Sequence, residues 1–170
     1  INIVMSDAVG NELYFTYLPS DGDDSTPLLF QYNNSILQAF YFFNLVLIND
    51  IEVESNDWVG AFNGNICVGA RKWDTSACGG GVCDLPVMGD DGSEVTEEYM
   101  NIGDSPSFKI YDISEDNYYD AIPSEDMPFE NFGTFIIDSL AGGILGCTDD
   151  SACNYNEVNT VEDGSCEYAE

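Results

Sequence analysis

Apolar and polar residues alternate along much of the chain with the period of two that is typical of β-strands. The clearest case is residues 58–70, where two alternating runs lie on either side of Asn63-Gly64-Asn65. An Asn-Gly step between such runs indicates a β-hairpin, because Asn and Gly accept the positive φ of a tight turn. We therefore predict a hairpin within the stretch that runs from Asp57 to Tyr111.

Further strands are predicted on both sides of this hairpin. Residues 36–48 form a nearly continuous apolar and aromatic run whose composition favours a central strand, although its length also fits a buried helix. Shorter runs predict strands at positions 1–5, 12–18, 51–54, 107–111, 118–122 and 133–137. Short strands separated by turn residues, without an amphipathic helical pattern, predict an all-β chain and specifically an antiparallel β-sandwich.

Composition divides the chain into three units. Residues 1–27 hold two strands and a linker rich in Asp, Ser and Pro, residues 28–145 form the predicted sandwich, and residues 146–170 are a small appendage rich in Cys and Asp. A unit of fewer than about 40 residues usually needs disulfides, a metal or a partner, so we expect the appendage to be stapled, metal-bound or both. The first two strands are expected to pair with an edge of their own sheet or with an edge of a neighbouring molecule.

The charge balance excludes some partners and suggests another. The chain has 3 Lys and Arg, 32 Asp and Glu and no His, which gives a net charge of −29. Nucleic acid is excluded as a partner, because a phosphate backbone is bound by clustered Lys and Arg. Such an acidic surface either keeps a secreted protein dissolved in a salty medium or collects divalent cations. All three basic residues lie within 71–109, where we expect them to face carboxylates.

The cysteines indicate an oxidising, extracellular compartment. The chain has six Cys and no repeated Cys-x-x-C pair, which is typical of disulfides: Cys67, Cys78, Cys83, Cys147, Cys153 and Cys166. We expect a local bridge between Cys78 and Cys83 and leave the other pairings open. Three cysteines lie in the sandwich and three in the appendage, so complete pairing within the chain requires an odd number of bridges between the two units. Otherwise at least one cysteine on each side is free or joined to another molecule. No run approaches the roughly 20 apolar residues of a membrane span.

The appendage has a recognisable motif. Gly146-Cys147-Thr148-Asp149, followed by residues 152–156 and 162–166, resembles a short repeat found in surface and secreted proteins of aquatic Bacteroidota-like bacteria. That repeat is loosely similar to thrombospondin type-3 calcium repeats. The stretches 57–71, 80–92 and 108–112 resemble an uncharacterised β-rich domain of the same kind of proteins. The resemblance implies an extracellular module and no known activity.

Two acidic loops are candidate calcium sites, because Ca²⁺ takes six to eight hard oxygen ligands. The candidate ligands in the appendage are Asp149, Asp150, Asn154, Asn156 and Asp163, and those in the second loop are Asp90 and Asp91. The alternative for the appendage is that disulfides alone hold it and its acids are solvated. The alternative for the second loop is an ordinary turn.

Four positions match glycosylation patterns, and several aromatic residues are candidates for stacking on sugars. Asn33 begins an N-glycosylation sequon, and Ser25, Ser139 and Ser151 look like the Asp-Ser/Thr-apolar sites used for O-glycosylation in Bacteroidota. Trp58, Trp73 and the pair Tyr118-Tyr119 are candidates for carbohydrate contacts, with Trp73 the foremost. The alternative is that they belong to the core.

The sequence predicts a structural protein and not an enzyme. There is no His for a triad, the cysteines are interpreted as disulfides, and carboxylates are too abundant for their spacing to mark a catalytic pair. We expect an extracellular subunit of a surface filament or adhesive appendage, assembled head-to-tail with other copies of itself through its terminal segments. The alternatives are a carbohydrate- or surface-binding module of a larger adhesin or secreted enzyme, and a spacer domain.

Overall fold

The structure is a computed structural model that describes residues 2–6, 12–16 and 26–169. These residues form ten strands: β1 (Asn2–Ser6), β2 (Glu12–Thr16), β3 (Gln38–Ile48), β4 (Ile51–Glu52), β5 (Trp58–Asn63), β6 (Ile66–Lys72), β7 (Asp84–Met88), β8 (Ser107–Asp112), β9 (Asn117–Pro123) and β10 (Thr134–Gly142). Short 3-10 turns lie at Leu28–Phe30, Thr75–Ala77 and Gly79–Gly81. Within the described ranges, no helix is both long and apolar enough to cross a membrane.

Eight of the strands form one curled, mixed sheet. Seven of them follow the order β4-β3-β10-β9-β8-β5-β6, and β7 pairs with β3. The prediction of an all-β fold is confirmed. The expectation of purely antiparallel pairing is wrong, because β3 and β10 run parallel, with Phe42 opposite Ile136. These two strands are far apart in sequence, so no local pattern sets their relative direction.

Most of the predicted strands are present, and one strand was missed. The hairpin is formed by β5 and β6, and Gly64 has the positive φ of 59° that its turn requires. The apolar run is the interior strand β3, not a helix. Strand β7 was missed because Pro86 interrupts its pattern, and proline normally argues against a strand interior.

The curl brings β6 close to β7, and we call this contact the seam. A side chain at Gly69 would place its Cβ 1.7 Å from the carbonyl oxygen of Pro86, so only glycine fits there. Close by, Arg71 Nη1 on β6 lies 2.8 Å from Asp84 Oδ1 on β7. The disulfide Cys78–Cys83 staples the connection between the two strands.

The concave side of the sheet encloses the main core. Its largest fully buried residues include Tyr41, Phe43, Leu85, Ile110 and Ile137. A second, smaller cluster lies on the convex side of β5 and β6, where the 3-10 turn places Phe30 over Gly60. A Cβ on Gly60 would lie 2.8 Å from the Phe30 ring. Strand β5 is therefore buried on both faces.

The appendage is a loop held to the end of the sheet. The disulfide Cys147–Cys166 closes it, and a single β-bridge joins Leu145 to Val161. Thr160 Oγ1 donates a hydrogen bond of 2.7 Å to Asn49 Oδ1, next to the end of β3. The expectation that a disulfide staples this small unit agrees with the bridge.

The two N-terminal strands form a separate sheet. Strands β1 and β2 are antiparallel, with Ile3 opposite Phe15 and Met5 opposite Leu13. In the described parts of the chain, no ladder joins either strand to the eight-stranded sheet. Pairing with an edge of the same chain's sheet, one of the two sequence alternatives, is therefore not observed.

The seam gives a first test of the fold. The substitution Gly69→Ala should destabilise the protein by about 2–3 kcal/mol, because a methyl group would force β6 away from Pro86. The free energy of unfolding in denaturant measures the effect. The control is Gly79→Ala, where the new Cβ meets nothing within 4 Å and the backbone φ is not positive. Equal stability of the two variants would show that the seam is not closely packed.

Candidate functional site

The loop at residues 90–96 is organised around the carboxylate of Asp91. Its Oδ1 accepts hydrogen bonds from Thr96 Oγ1 at 2.6 Å and from the Ser93 N–H at 3.1 Å. Its Oδ2 accepts the Ile36 N–H at 3.3 Å, which ties the loop to the start of β3. The hydrogen bonds from Thr96 and Ser93 lower the pKa of Asp91 below its ordinary value.

The predicted calcium ligands of this loop thus have partners within the protein. Asp90 Oδ1 accepts the Gly92 N–H at 2.8 Å, so both carboxylates stabilise turns of the backbone. This geometry is that of an ordinary turn, which the sequence analysis gave as the alternative to a calcium site. Calcium binding here stays a prediction.

The candidate ligands of the appendage are also used in local hydrogen bonds. Asp149 accepts hydrogen bonds from the Ser151 N–H, the Ser151 hydroxyl and, at 2.7 Å, the Tyr168 hydroxyl. The Asn154 amide donates to Ser165 O at 2.6 Å and accepts from the Glu167 N–H at 2.8 Å. Two further candidates accept backbone N–H groups, Asn156 that of Val158 and Asp163 that of Ser165. Asp150 is exposed.

In the described residues, side chains of the types that bind metals lie close together at one place in the appendage. Among residues 26–169, three His, Cys, Asp or Glu side chains come within 4.8 Å of one another only at Cys147, Glu162 and Cys166. The two sulfurs form the disulfide, so Glu162 is the only ligand that this group offers. Calcium binding by the appendage stays a prediction.

A cleft that the sequence did not indicate lies between the β4–β5 connection and the β8–β9 turn. It has a volume of about 160 Å³, and its acidic lining residues are Glu52, Glu54, Asp57, Asp112 and Glu115. Asp57 is 2% exposed, and its two oxygens accept the Glu54 N–H at 2.7 Å and the Ile113 N–H at 3.1 Å. The buried carboxyl group of Asp57 is thus hydrogen-bonded and joins the two loops. With so many acids in the chain, no spacing in the sequence distinguishes these five.

The cysteines form two local bridges and leave two thiols. Cys78 pairs with Cys83 and Cys147 with Cys166. The expectation that Cys67 and Cys153 also form disulfides is wrong for this structure, where both are free. Cys67 is buried in the convex cluster beneath Phe30, and burial raises the pKa of its thiol to about 12. Cys153 is exposed. One free cysteine lies in each of the two units, which is the second of the two outcomes expected from three cysteines in the predicted sandwich and three in the appendage.

Two of the three basic residues contact carboxylates on neighbouring strands. Arg71 pairs with Asp84 at the seam, and the Lys109 ammonium contacts Asp120 across β8 and β9. Lys72 helps to lower the pKa of Asp74, after the larger effect of the hydrogen bonds from Ser76. The positively charged side chains thus stabilise contacts within the fold.

Trp73 is not available for stacking on a sugar. It is 3% exposed and belongs to the main core, with its ring 6.0 Å from that of Phe43. The prediction that it contacts carbohydrate is therefore wrong. Trp73 follows β6 immediately. Its backbone N–H donates a hydrogen bond of 2.7 Å to the backbone carbonyl of Asp57, which turns the chain inward.

An aromatic patch is accessible elsewhere, at the border of the convex cluster. The half-buried rings of Tyr111 and Tyr118 lie 4.5 Å apart, and Phe30 contacts Tyr118 edge-on at 5.4 Å. Beside them Leu28 is 74% exposed and Leu29 is exposed as well. Of the sequence candidates for sugar contacts, Tyr118 is the one that this patch contains.

The glycosylation candidates differ in accessibility. The Asn33 amide nitrogen donates to Val95 O at 3.1 Å and is half-buried. Ser139 lies half-buried within β10, and the exposed Ser151 hydroxyl donates to Asp149. Ser25 lies outside the described residues. Modification of any of these positions stays a prediction.

No protein-family model, curated protein or solved structure matches this chain. The resemblance of its motifs to modules of bacterial surface proteins accordingly stays a prediction. The two disulfides are compatible with an oxidising compartment.

The thiols give a test of the cysteine assignment. Alkylation of the native protein at mildly alkaline pH should modify Cys153 alone, because Cys67 is buried and stays protonated below its pKa of about 12. Two cysteines should react after unfolding without reductant, and all six after reduction. Mass spectrometry counts the labels. An unfolded, unreduced chain without any reactive thiol would show that Cys67 and Cys153 are paired.

The Asp91 loop gives a pH-dependent test. Because the folded-state pKa of Asp91 lies below the ordinary value of 3.8, its stabilisation is present above that pH and is lost as the pH falls towards the folded-state pKa. Asp91→Asn should therefore lower the melting temperature near neutral pH, and the difference from wild type should shrink below pH 3.8. Glu94→Gln removes one charge from an exposed residue of the same loop and should have little effect. If the melting temperature of Asp91→Asn were lower than that of wild type by the same amount at every pH, this role of the carboxylate would be refuted.

Proposed function

We propose that this protein is an extracellular structural subunit that assembles head-to-tail through its terminal segments into a surface filament or adhesive appendage. One observation carries the proposal: within the described residues, β1 and β2 form a ladder with each other and none with the eight-stranded sheet. An isolated two-stranded sheet is marginal in water, and its outer edges present unpaired backbone groups. A second copy of the chain offers the missing partner.

A head-to-tail contact between subunits is the geometry that allows an assembly to grow. When one region of a subunit binds a different region of the next, the contact does not close unless the rotation forms a ring, and a filament results. Here the donor segment is the N-terminal strand pair, which is followed in the sequence by residues 19–27, a stretch with the composition of a linker. The disulfide-closed appendage at the other end of the chain supplies a compact C-terminal segment.

The net charge of −29 opposes such assembly and gives calcium a role in the proposal. Copies with this charge repel each other unless cations neutralise part of it. We expect divalent cations to act as counterions at exposed carboxylates, including those of the appendage and of the acidic cleft. This role requires no preformed site within one copy.

The second candidate is a carbohydrate- or surface-binding module. The aromatic patch of Leu28, Leu29, Tyr111 and Tyr118 favours it, because paired tyrosine rings beside exposed apolar residues suit the apolar face of a sugar or a surface. Either function fits the sequence-based expectation of an extracellular protein that is not an enzyme.

Negative-stain microscopy of the purified chain, with calcium and then with a chelator, tests the proposal. Wild type should form filaments with calcium, and a variant lacking residues 1–18 should stay monomeric, because the donor strands are gone. Chelator should weaken assembly by restoring the repulsion between copies.

Two single substitutions make this test specific for the strand pair. Ile3→Glu changes a position that shares a face with Met5, Leu13 and Phe15 in the β1–β2 register, whereas Val4→Glu changes the opposite face. Filaments should be lost in the first variant and retained in the second. Wild type that stays monomeric with calcium and intact disulfides would overturn the filament proposal and favour the binding module.

A further inference from the structure

A second cleft lies at the opposite end of β3 from the acidic cleft around Asp57. It has a volume of about 290 Å³, and Leu37, directly before β3, is one of its lining residues. The acidic cleft instead includes Ile48, the last residue of β3. The other residues of the second cleft come from the β7–β8 and β9–β10 connections. We call this site the loop cleft.

Hydrogen bonds between its three segments fix the walls of the loop cleft. The Gly89 N–H in the β7–β8 connection donates to Leu37 O at 2.7 Å. The Gly103 N–H in the same connection donates to Phe129 O in the β9–β10 connection at 2.9 Å. The cleft is therefore formed before a ligand arrives, which lowers the entropic cost of binding.

The lining of the loop cleft is mostly apolar. Met100 and Phe129 are each 1% exposed and belong to the main core, so they form its floor. Leu37 is half-buried and Ile102 is 77% exposed, and these two side chains provide the accessible apolar surface. An apolar cavity of about 150 Å³ is large enough to hold a benzene molecule. The loop cleft therefore has room for an aromatic ring or a branched aliphatic group.

Three polar side chains of the lining keep hydrogen-bonding groups that the described residues do not use. Asp90 Oδ1 accepts the Gly92 N–H at 2.8 Å, and no described residue donates to Asp90 Oδ2. Asn131 Oδ1 accepts the Gln38 N–H at 3.2 Å, whereas its amide nitrogen has no partner in the described chain. The Asn101 side chain makes no hydrogen bond within that part of the chain either. An apolar cleft with a few available polar groups is typical of a small-molecule site.

The charge at the loop cleft favours one class of ligand. Asp90 is the charged residue of the lining, and the basic residues of the chain lie on β6 and β8 and do not line the cleft. The net charge of −29 attracts cations and repels anions. A primary ammonium group also supplies the N–H donors that Asp90 Oδ2 and the amide oxygen of Asn101 can accept. A ligand with an apolar group and an ammonium therefore complements both parts of the lining.

We propose that the loop cleft binds a small organic cation, namely an aromatic or branched aliphatic group that carries a primary ammonium. The apolar group contacts Leu37 and Ile102, and the ammonium donates a hydrogen bond to Asp90 Oδ2. This binding goes beyond the proposed filament function and does not depend on it.

Three probes that share one ring test the proposal on the wild-type chain. Phenethylammonium, phenethyl alcohol and phenylacetate are titrated at neutral pH with a chelator present, and the backbone amide signals are followed by NMR. The ammonium should bind at least about tenfold more tightly than the alcohol, because its hydrogen bond to a carboxylate is charged, and phenylacetate should not bind. The signals of residues 37, 90 and 100–102 should shift. Equal binding of ammonium and alcohol, shifts confined to other residues, or no binding at millimolar concentration would each overturn the proposal.

A substitution with a matched control tests the charge. Asp90→Asn keeps an Oδ1 acceptor for Gly92 and removes the charge, so it should weaken binding of phenethylammonium at least about tenfold and leave that of the alcohol unchanged. Glu94→Gln removes one charge from an exposed residue of the same loop that does not line the cleft, and should leave both unchanged. Equal weakening by the two variants would show a general attraction to the acidic surface and would contradict the site.

The apolar wall is tested in the same way. Ile102→Ser should weaken the ammonium and the alcohol alike, by about fivefold, because both lose the same apolar contact. The control is Ile51→Ser, since Ile51 is 72% exposed and lies on β4, which pairs with the other end of β3. Unchanged binding in Ile102→Ser would overturn the proposed contact. The melting temperature shows whether each variant folds, and the comparison of the three probes on the wild-type chain decides the outcome if one does not.

Discussion

The fold depends on the close contact between β6 and β7 at the seam. The backbone carbonyl of Pro86 occupies the space that a side chain on Gly69 would need. The two strands therefore approach more closely than they could with any residue other than glycine at position 69. The ion pair of Arg71 and Asp84 and the disulfide Cys78–Cys83 hold the same two strands together. Because β7 pairs with β3 and β6 pairs with β5, this contact brings the ends of the sheet together and encloses the main core.

Enclosing one face in this way leaves the other face to be covered by separate segments. Phe30 covers the convex side near β5, where Gly60 makes room for its ring. Over β3 and β10 the exposed apolar residues Leu45 and Ile136 lie beside the hydrogen-bonded pair of Asn44 and Asp138. The hydrophobic effect penalises the exposure of these apolar residues.

Several of the carboxylates have local structural roles within one copy. Asp91, Asp149 and Asp57 each accept hydrogen bonds that fix turns or join loops. Carboxylates near backbone N–H groups stabilise such turns without a metal, because the hydrogen bonds favour the charged form. The sum of the charges has a different consequence, since repulsion between copies makes any assembly sensitive to cations.

The sequence by itself determined the features that depend on neighbouring residues. The alternation predicted most strands, Asn63 and Gly64 predicted the hairpin turn, and the short spacing predicted the bridge from Cys78 to Cys83. These features could be predicted because turn geometry and strand periodicity act over a few residues. The acidic loops were recognisable too, but their spacing did not distinguish hydrogen-bonded turns from calcium ligands.

Only the tertiary structure decided which strands meet and which residues they cover. The parallel pairing of β3 with β10, the strand that contains Pro86, and the burial of Trp73 all depend on contacts between distant parts of the chain. The same holds for the acidic cleft around Asp57 and for the free thiol of Cys67. A residue's type and spacing are the same whether a distant segment covers it or not, so burial and pairing at these positions required the folded sheet.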